Sequence, residues 1–89
     1  MSKNQTRELT LHIFGKDFFI MTDADEEYTK KVAQFLTDEM NDIAKNFSGE
    51  KYEKIVVIAS MNIIDKYFTL QKQYKEMEEK LNDLLEKIK

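Results

Sequence analysis

The chain is expected to fold as α+β: an N-terminal β-hairpin and one amphipathic helix form a small head, followed by a long helix that ends in a coiled-coil arm. Three observations carry this expectation. Leu9, Leu11 and Ile13 alternate with Thr10, His12 and Phe14, the period of a strand that buries one face. Beyond residue 22 there is no Pro and only one Gly, so the remaining chain carries helical patterns with a single break. From Ile63 onward the apolar residues recur alternately four and three apart, the spacing of a coiled-coil seam.

The elements follow in order. Residues 1–7 are polar, bury nothing, and are expected to be a disordered tail. The head spans 8–49. Its first strand ends before Gly15-Lys16-Asp17, which reads as the turn, and Phe18-Phe19-Ile20-Met21 reads as the return strand of a hairpin. Two strands alone are marginal in water, so the Leu11 and Ile13 face needs a cover. Asp23 can cap the next helix with Glu26 three positions on, and the acids Asp25, Glu26 and Glu27 suit the positive end of its dipole. Tyr28, Val32, Phe35, Leu36, Met40, Ile43, Ala44 and Phe47 then fall on one helical face. Ser48-Gly49 ends it, and either residue can open the helix that follows.

The long helix is expected over 50–89, with a core part at 50–66 and the arm at 67–89. Ile55 to Ile64 is apolar on all sides, so it is expected to be a buried core helix, with Ile55, Ile58 and Ile63 joining subunits. Tyr67, Leu70, Tyr74, Met77, Leu81, Leu84 and Ile88 continue from Ile63 as the seam. Five bases and five acids between Leu70 and Lys89 leave the outer faces charged and balanced. A lone helix would leave such a stripe wet, so self-association is expected.

Composition narrows the function. The chain has 89 residues, 31 of them charged, with a net charge of −3, one His and no Cys. A chain this short buries only about 60% of the surface its unfolded form exposes. Without Cys, neither disulfides nor thiolate metal sites can staple it, and a partner subunit is the stabiliser left. His12 alone cannot make a multi-histidine metal site or a Cys/His nucleophile pair. Gly15 and Gly49 are too far apart for a phosphate-binding loop. The basic residues are dispersed, which argues against nucleic acid. The longest apolar stretch, about ten residues, is short of the roughly 20 that span a bilayer, and the polar segment Met1 to Arg7 is not followed by the apolar core expected of a signal peptide. A cytoplasmic protein with no catalytic residues, cofactor or metal is expected.

The residues that might carry chemistry have plainer readings. His12 reads as a surface or interface histidine. Asp23, Asp25 and Glu27 have the spacing of a calcium loop, but Tyr28 and Gln34 stand where that loop needs Gly and Glu, so helix capping fits better. Asp38, Glu39 and Asp42 flank the core face of a helix as solvated acids. Asn62 interrupts the most apolar segment and is expected to hold a structural hydrogen bond that orients the head, with direct partner contact as the alternative.

Three segments together resemble the ZapA family of bacterial cell-division proteins. They are Leu11-x-Ile13-x-Gly15-x-x-Phe18-x-Ile20, the acid-started helix with Glu26-Glu27-Tyr28 and Val32-Ala33, and Ile55-Val56-Val57-Ile58-Ala59-Ser60-Met61-Asn62-Ile63. The likeness covers roughly Leu9 to Leu70. Ser60-Met61 departs from the family's usual Ala-Leu, and the coil is similar in length to that of Gram-positive members. The resemblance implies a homodimer, or a tetramer of two dimers, that binds the tubulin-like GTPase FtsZ at the division septum and cross-links its protofilaments. It implies that the basic residue after the hairpin glycine, Lys16, and an acid early in the second helix, Glu53, contact FtsZ. A basic loop residue of some members falls near Ser48-Gly49 and is missing here; Lys45 or Lys51 can substitute. A generic cytosolic coiled-coil adaptor for another protein is the alternative, and a small helical mutase is remote because Arg7 is the only arginine.

Overall fold

The computed structural model describes residues 5–47 and 49–88. The tail expected at positions 1–4, and the capping role given to Ser48, lie outside the described residues. The elements run in the order β1 (Arg7–Ile13), β2 (Lys16–Thr22), α1 (Glu26–Asn46) and α2 (Tyr52–Ile88). They divide into two compact units, one reaching Ala59 and the other beginning at Ser60.

Strands β1 and β2 form an antiparallel hairpin in which Leu9 faces Ile20 and Leu11 faces Phe18 on one side of the sheet. Glu8 with Met21, Thr10 with Phe19, and His12 with Asp17 occupy the other. Arg7 belongs to the strand rather than to a tail. Its guanidinium donates to the Ala24 carbonyl at 2.8 Å, tying the first residue of β1 to the chain beyond β2.

The turn is Phe14-Gly15, one residue earlier than the expected Gly15-Lys16-Asp17. Phe14 and Gly15 both have positive φ, 49° and 80°, and such two-residue loops match the twist of the strands they join. Gly15 adopts this backbone freely. For Phe14 it costs about 1–2 kcal/mol. The Phe14 N–H donates to Thr37 Oγ1 at 3.1 Å and its ring packs on Tyr52, contacts that offset the strain and fasten the turn to both helices. Lys16 and Asp17 consequently open β2.

Helix α1 is capped by Asp25, whose carboxylate accepts from the Tyr28 N–H at 3.0 Å. Asp23 was the expected cap, but Asp25 is the residue directly before the first helical position, the geometry capping requires. Thr29 adds a hydroxyl bond to the Asp25 carbonyl at 2.7 Å. At the other end Phe47 is the C-cap, and Gly49, at φ +87°, takes the left-handed bend that lets the chain reverse. Helix α2 starts at Tyr52, two residues later than expected.

Met40, Ile43, Ile55 and Ala59 are buried together, with Ile13, Phe14, Leu36, Ala44, Tyr52, Val56 and Ile58 packed around them. Leu9, Leu11 and Ala33 are buried where α1 lies on β1. The segment from Ile55 to Ile64 is therefore not buried all round. Ile55 is buried and Ile58 half-buried against their own subunit's core, while Val57, Met61 and Ile64 stay more than half exposed. The reason is geometric: α1 and the hairpin can cover only one side of a helix. Asn62 is exposed, so it is not the buried amide that the apolar setting implied. On α1, Tyr28, Val32 and Phe35 lie to one side of the buried row and are likewise half exposed or more.

Met40 is fully buried at the centre of this core. Met40→Ala is expected to remove about 2–5 kcal/mol of stability, read by urea unfolding at fixed protein concentration. A loss below about 1 kcal/mol would show that the core does not depend on this contact.

Candidate functional site

Tyr52 is the residue around which the turn end of the head is organised. It opens α2 within the charged run Glu50-Lys51-Tyr52-Glu53-Lys54. Its hydroxyl donates to the Ile13 carbonyl at 3.2 Å, and its ring lies 5.9 Å from that of Phe14, tilted by 45°. On the ring sits the Lys16 ammonium, 4.2 Å from the centroid. A cation on an exposed aromatic face is worth about 0.5–1 kcal/mol, enough to bias the direction of a flexible lysine without removing its charge from water. Glu53 follows Tyr52 directly. Of the two charges that the family resemblance singled out, Lys16 rests on Tyr52 and Glu53 is its neighbour in sequence; Tyr52 itself is a residue that sequence reasoning missed. The available signal was an aromatic residue alone among five positions of otherwise charged side chains, just after a glycine bend.

Lys45 and Lys51 are placed differently. Lys45 stands in the last turn of α1, where its charge suits the helix dipole, and its ammonium is 3.9 Å from the Asp42 carboxylate. Lys51 is exposed immediately before α2, and its carbonyl takes the Ile55 N–H at 3.1 Å. Neighbouring Glu50 and Lys54 pair at 2.8 Å across the first turn.

Beside the Lys16, Tyr52 and Glu53 cluster lies an apolar groove of about 600 Å³. Its walls are Phe18 and Ile20 of β2, Leu36 of α1, and Val56 and Val57 of α2, with Glu53 at the edge. It exists because α1 packs on the β1 half of the sheet, leaving the β2 half uncovered; Leu11 is buried while its cross-strand partner Phe18 is 38% exposed.

His12 pairs with the Asp17 carboxylate across the hairpin on the exposed side of the sheet, as a surface histidine does. Among the described residues no group of three His, Asp or Glu side chains is placed to hold a metal ion. No helix among them is long and apolar enough to cross a membrane.

The unit beginning at Ser60 is the continuation of α2. Tyr67, Leu70, Tyr74, Met77, Leu81, Leu84 and Ile88 are all more than half exposed, so the seam is unpaired within the subunit. The Tyr67 hydroxyl accepts from Gln71 Nε2 at 2.8 Å, and its ring lies against Phe68 at 5.7 Å. Met61, Ile64 and Phe68 form a further exposed set, spaced three and four apart like Val57 before them. The unbroken apolar run from Ile55 to Ile64 masks this second stripe in the sequence.

Comparison with known proteins places these features in context. A family model described as "Cell division protein ZapA" matches residues 9–89. A cell division protein ZapA of Geobacillus sp. (strain WCH70) is 24% identical over 82 residues, covering 92% of this chain and 94% of the relative. The cell division protein ZapA of Shouchella clausii is 27% identical over 75 residues, covering 83% and 96%. Among solved structures, a ZapA mutant dimer from Geobacillus stearothermophilus superposes with a TM-score of 0.68 at 22% identity, covering 92% of this chain and 95% of that one. A conserved bacterial protein of unknown function from Pseudomonas aeruginosa PAO1 gives 0.52 at 21% identity, covering 91% and 94%. Both share the hairpin, helix and long-helix fold.

Tyr52→Phe keeps the ring under Lys16 and Phe14 and deletes one hydrogen bond, for an expected loss of about 1 kcal/mol. Tyr52→Ala removes the platform as well, and about 3 kcal/mol is expected, the low end for a large aromatic because this one is only half-buried. Thermal unfolding of both variants checks the order; equal losses would mean that the ring contacts contribute nothing.

Proposed function

The chain belongs to the ZapA family of cell division proteins, and on that premise we propose that it binds FtsZ in the cytoplasm at the septum and cross-links FtsZ protofilaments as a homodimer or a tetramer of two dimers. The observation that supports this most is the extent of the family match, which takes in both the head and the seam. Those are the two parts a connector needs: a surface for the filament and a means of joining surfaces.

The mechanism follows from the residues. Lys16 stands at the turn end of the head with its ammonium on the Tyr52 ring, Glu53 lines the neighbouring groove, and the two offer opposite charges to the filament. Lys45 and Lys51 add positive charge from the end of α1 and the start of α2. Exposed charge pairs bind weakly and set registry and encounter rate more than affinity. Joining heads through Tyr67, Leu70, Tyr74, Met77, Leu81, Leu84 and Ile88 makes the second contact intramolecular, which raises avidity without any new contact. A subunit joined to its copy, with one head on each of two filaments, bundles them.

Pelleting the purified protein with FtsZ and GTP tests this. The wild type is expected to enter the polymer pellet, and Lys16→Glu combined with Glu53→Lys to reduce its share about tenfold while helicity and oligomer mass stay unchanged, since surface charges carry little of the fold's stability. Raising salt from 50 to about 300 mM should weaken the wild type in the same direction, as screening shortens the reach of exposed charges. Undiminished binding by the double variant would remove these two residues from the interface. No wild-type protein in the pellet would remove FtsZ as the partner.

A further inference from the structure

Among the described residues the sheet has two strands, so each strand has an outer edge with no strand beside it. Which backbone groups face outward follows from the turn. With both φ positive at Phe14 and Gly15, the loop bonds the Ile13 carbonyl to the Lys16 N–H, and bonded and non-bonded pairs alternate from there. Counting back along the register, His12 with Asp17, Thr10 with Phe19 and Glu8 with Met21 are the non-bonded pairs. On β1 the N–H and C=O groups of Glu8, Thr10 and His12 therefore point away from β2, and on β2 those of Asp17, Phe19 and Met21 point away from β1.

The β1 edge has a helix beside it. A cavity of about 240 Å³ is lined by Thr10, Leu11 and His12 of β1 and by Lys30, Ala33 and Gln34 of α1. Successive residues of a strand face opposite sides of the sheet, so a cavity that touches three in a row runs along the strand's edge. No β2 residue lines it, which makes it the outer edge. Lys30, Ala33 and Gln34, three and four apart, present one helical face to it. Because α1 packs on β1, it lies where it would if the sheet continued by one more strand. A slot between a strand edge and a helix is a place where an extended peptide can add to the sheet.

We infer that this slot takes an extended segment of FtsZ as a third strand beside β1. The inference rests on the proposed FtsZ partnership and adds to it the manner of one contact.

The lining states what the segment carries. Cross-strand neighbours share a face, so the residue opposite Leu11 points toward Leu11 and Ala33, both buried, and an aliphatic side chain there leaves water. Two residues along, the segment faces the helix again, within reach of Lys30. The Lys30 ammonium pairs with Glu26 at 3.0 Å, and both side chains are more than half exposed. Such a pair contributes little, so an incoming carboxylate can share the lysine. The expected segment therefore has an aliphatic and an acidic side chain two residues apart.

Position argues for the filament as its source. His12 adjoins Ile13, whose carbonyl accepts from the Tyr52 hydroxyl, and its partner Asp17 follows Lys16. The slot thus opens at the turn end of the head, where Lys16 lies on Tyr52. A filament surface that meets Lys16 has the β1 edge beside it, and a main-chain ladder supplies the directional hold that exposed charges lack.

Hydrogen exchange of the full-length protein, alone and bound to FtsZ polymers with GTP, reads the edge amide by amide. The Thr10 and His12 N–H groups are expected to slow about tenfold or more on binding, as open amides do on entering a ladder. Those of Phe19 and Met21, on the other edge, are expected to keep their rates. Thr10→Pro removes one outward N–H without touching the bonds to β2, since an edge strand accepts Pro at such a position. Its pelleting with FtsZ is expected to fall about tenfold, the scale of one lost hydrogen bond and a blocked edge, with helicity and oligomer mass unchanged. Gln34→Trp fills the slot from α1 and leaves the strand backbone intact; it is expected to lose pelleting likewise and decides the matter if the Pro variant does not fold. If wild-type protein pellets and neither amide slows, the third strand is overturned and the FtsZ reading stands. If both amides are already slow in the protein alone and quicken on dilution, the edge belongs to a second copy and the inference is overturned. If the wild type never pellets, the FtsZ reading fails and the inference fails with it.

Discussion

The shortage of buried apolar surface within one subunit governs everything else in this protein. Among the described residues, seven hydrophobic side chains are buried and nineteen large ones are exposed. Domains of this size are marginal even when their cores are complete. Here disulfides are absent from the chemistry, because the sequence holds no Cys, and each unpaired row of Leu, Ile, Met and aromatic residues is surface still waiting to leave water. The fold and the assembly are on this view one process. That suits the proposed connector role, in which the working part is the interface rather than a pocket.

Within the head, a local strain is put to use. Phe14 is held in a backbone conformation that a bulky residue avoids, and the Thr37 hydroxyl, the Tyr52 ring and the Tyr52 hydroxyl all act within one residue of it. A two-residue turn results, and it delivers Lys16 directly onto Tyr52. A longer turn would leave Lys16 on a mobile tip. Turn chemistry, the start of α2 and the position of the charge are therefore one arrangement.

Most of the architecture was legible in the sequence because it follows from periodicity. The two-residue alternation at Leu9, Leu11 and Ile13, the helical spacing from Tyr28 to Phe47 and the four-three repeat from Ile63 each depend on local geometry alone. The turn was misplaced by one residue, since a left-handed Phe14 is made tolerable only by partners 23 and 38 positions away. The cap at Asp25 in place of Asp23 turned on a two-residue difference in where α1 begins. The apolar run at Ile55 was read as uniformly buried because hydrophobicity does not say which neighbour does the burying; α1 takes Ile55 and Ala59, and Val57, Met61 and Ile64 are left for something else. Lys16 and Glu53 came from family resemblance, whereas Tyr52 was signalled only by its place as a lone aromatic in the charged run after Gly49.

The central claim, that the fold is completed only by self-association, is tested most directly by following helicity and mass together on dilution. Far-ultraviolet circular dichroism and sedimentation would be measured on the wild-type chain from about 100 μM down to 0.1 μM. The account predicts that helical signal and oligomer mass are lost together as the concentration falls, because folding is linked to association by mass action. A monomer at about 10 μM that retains its helical signal and unfolds cooperatively would contradict it.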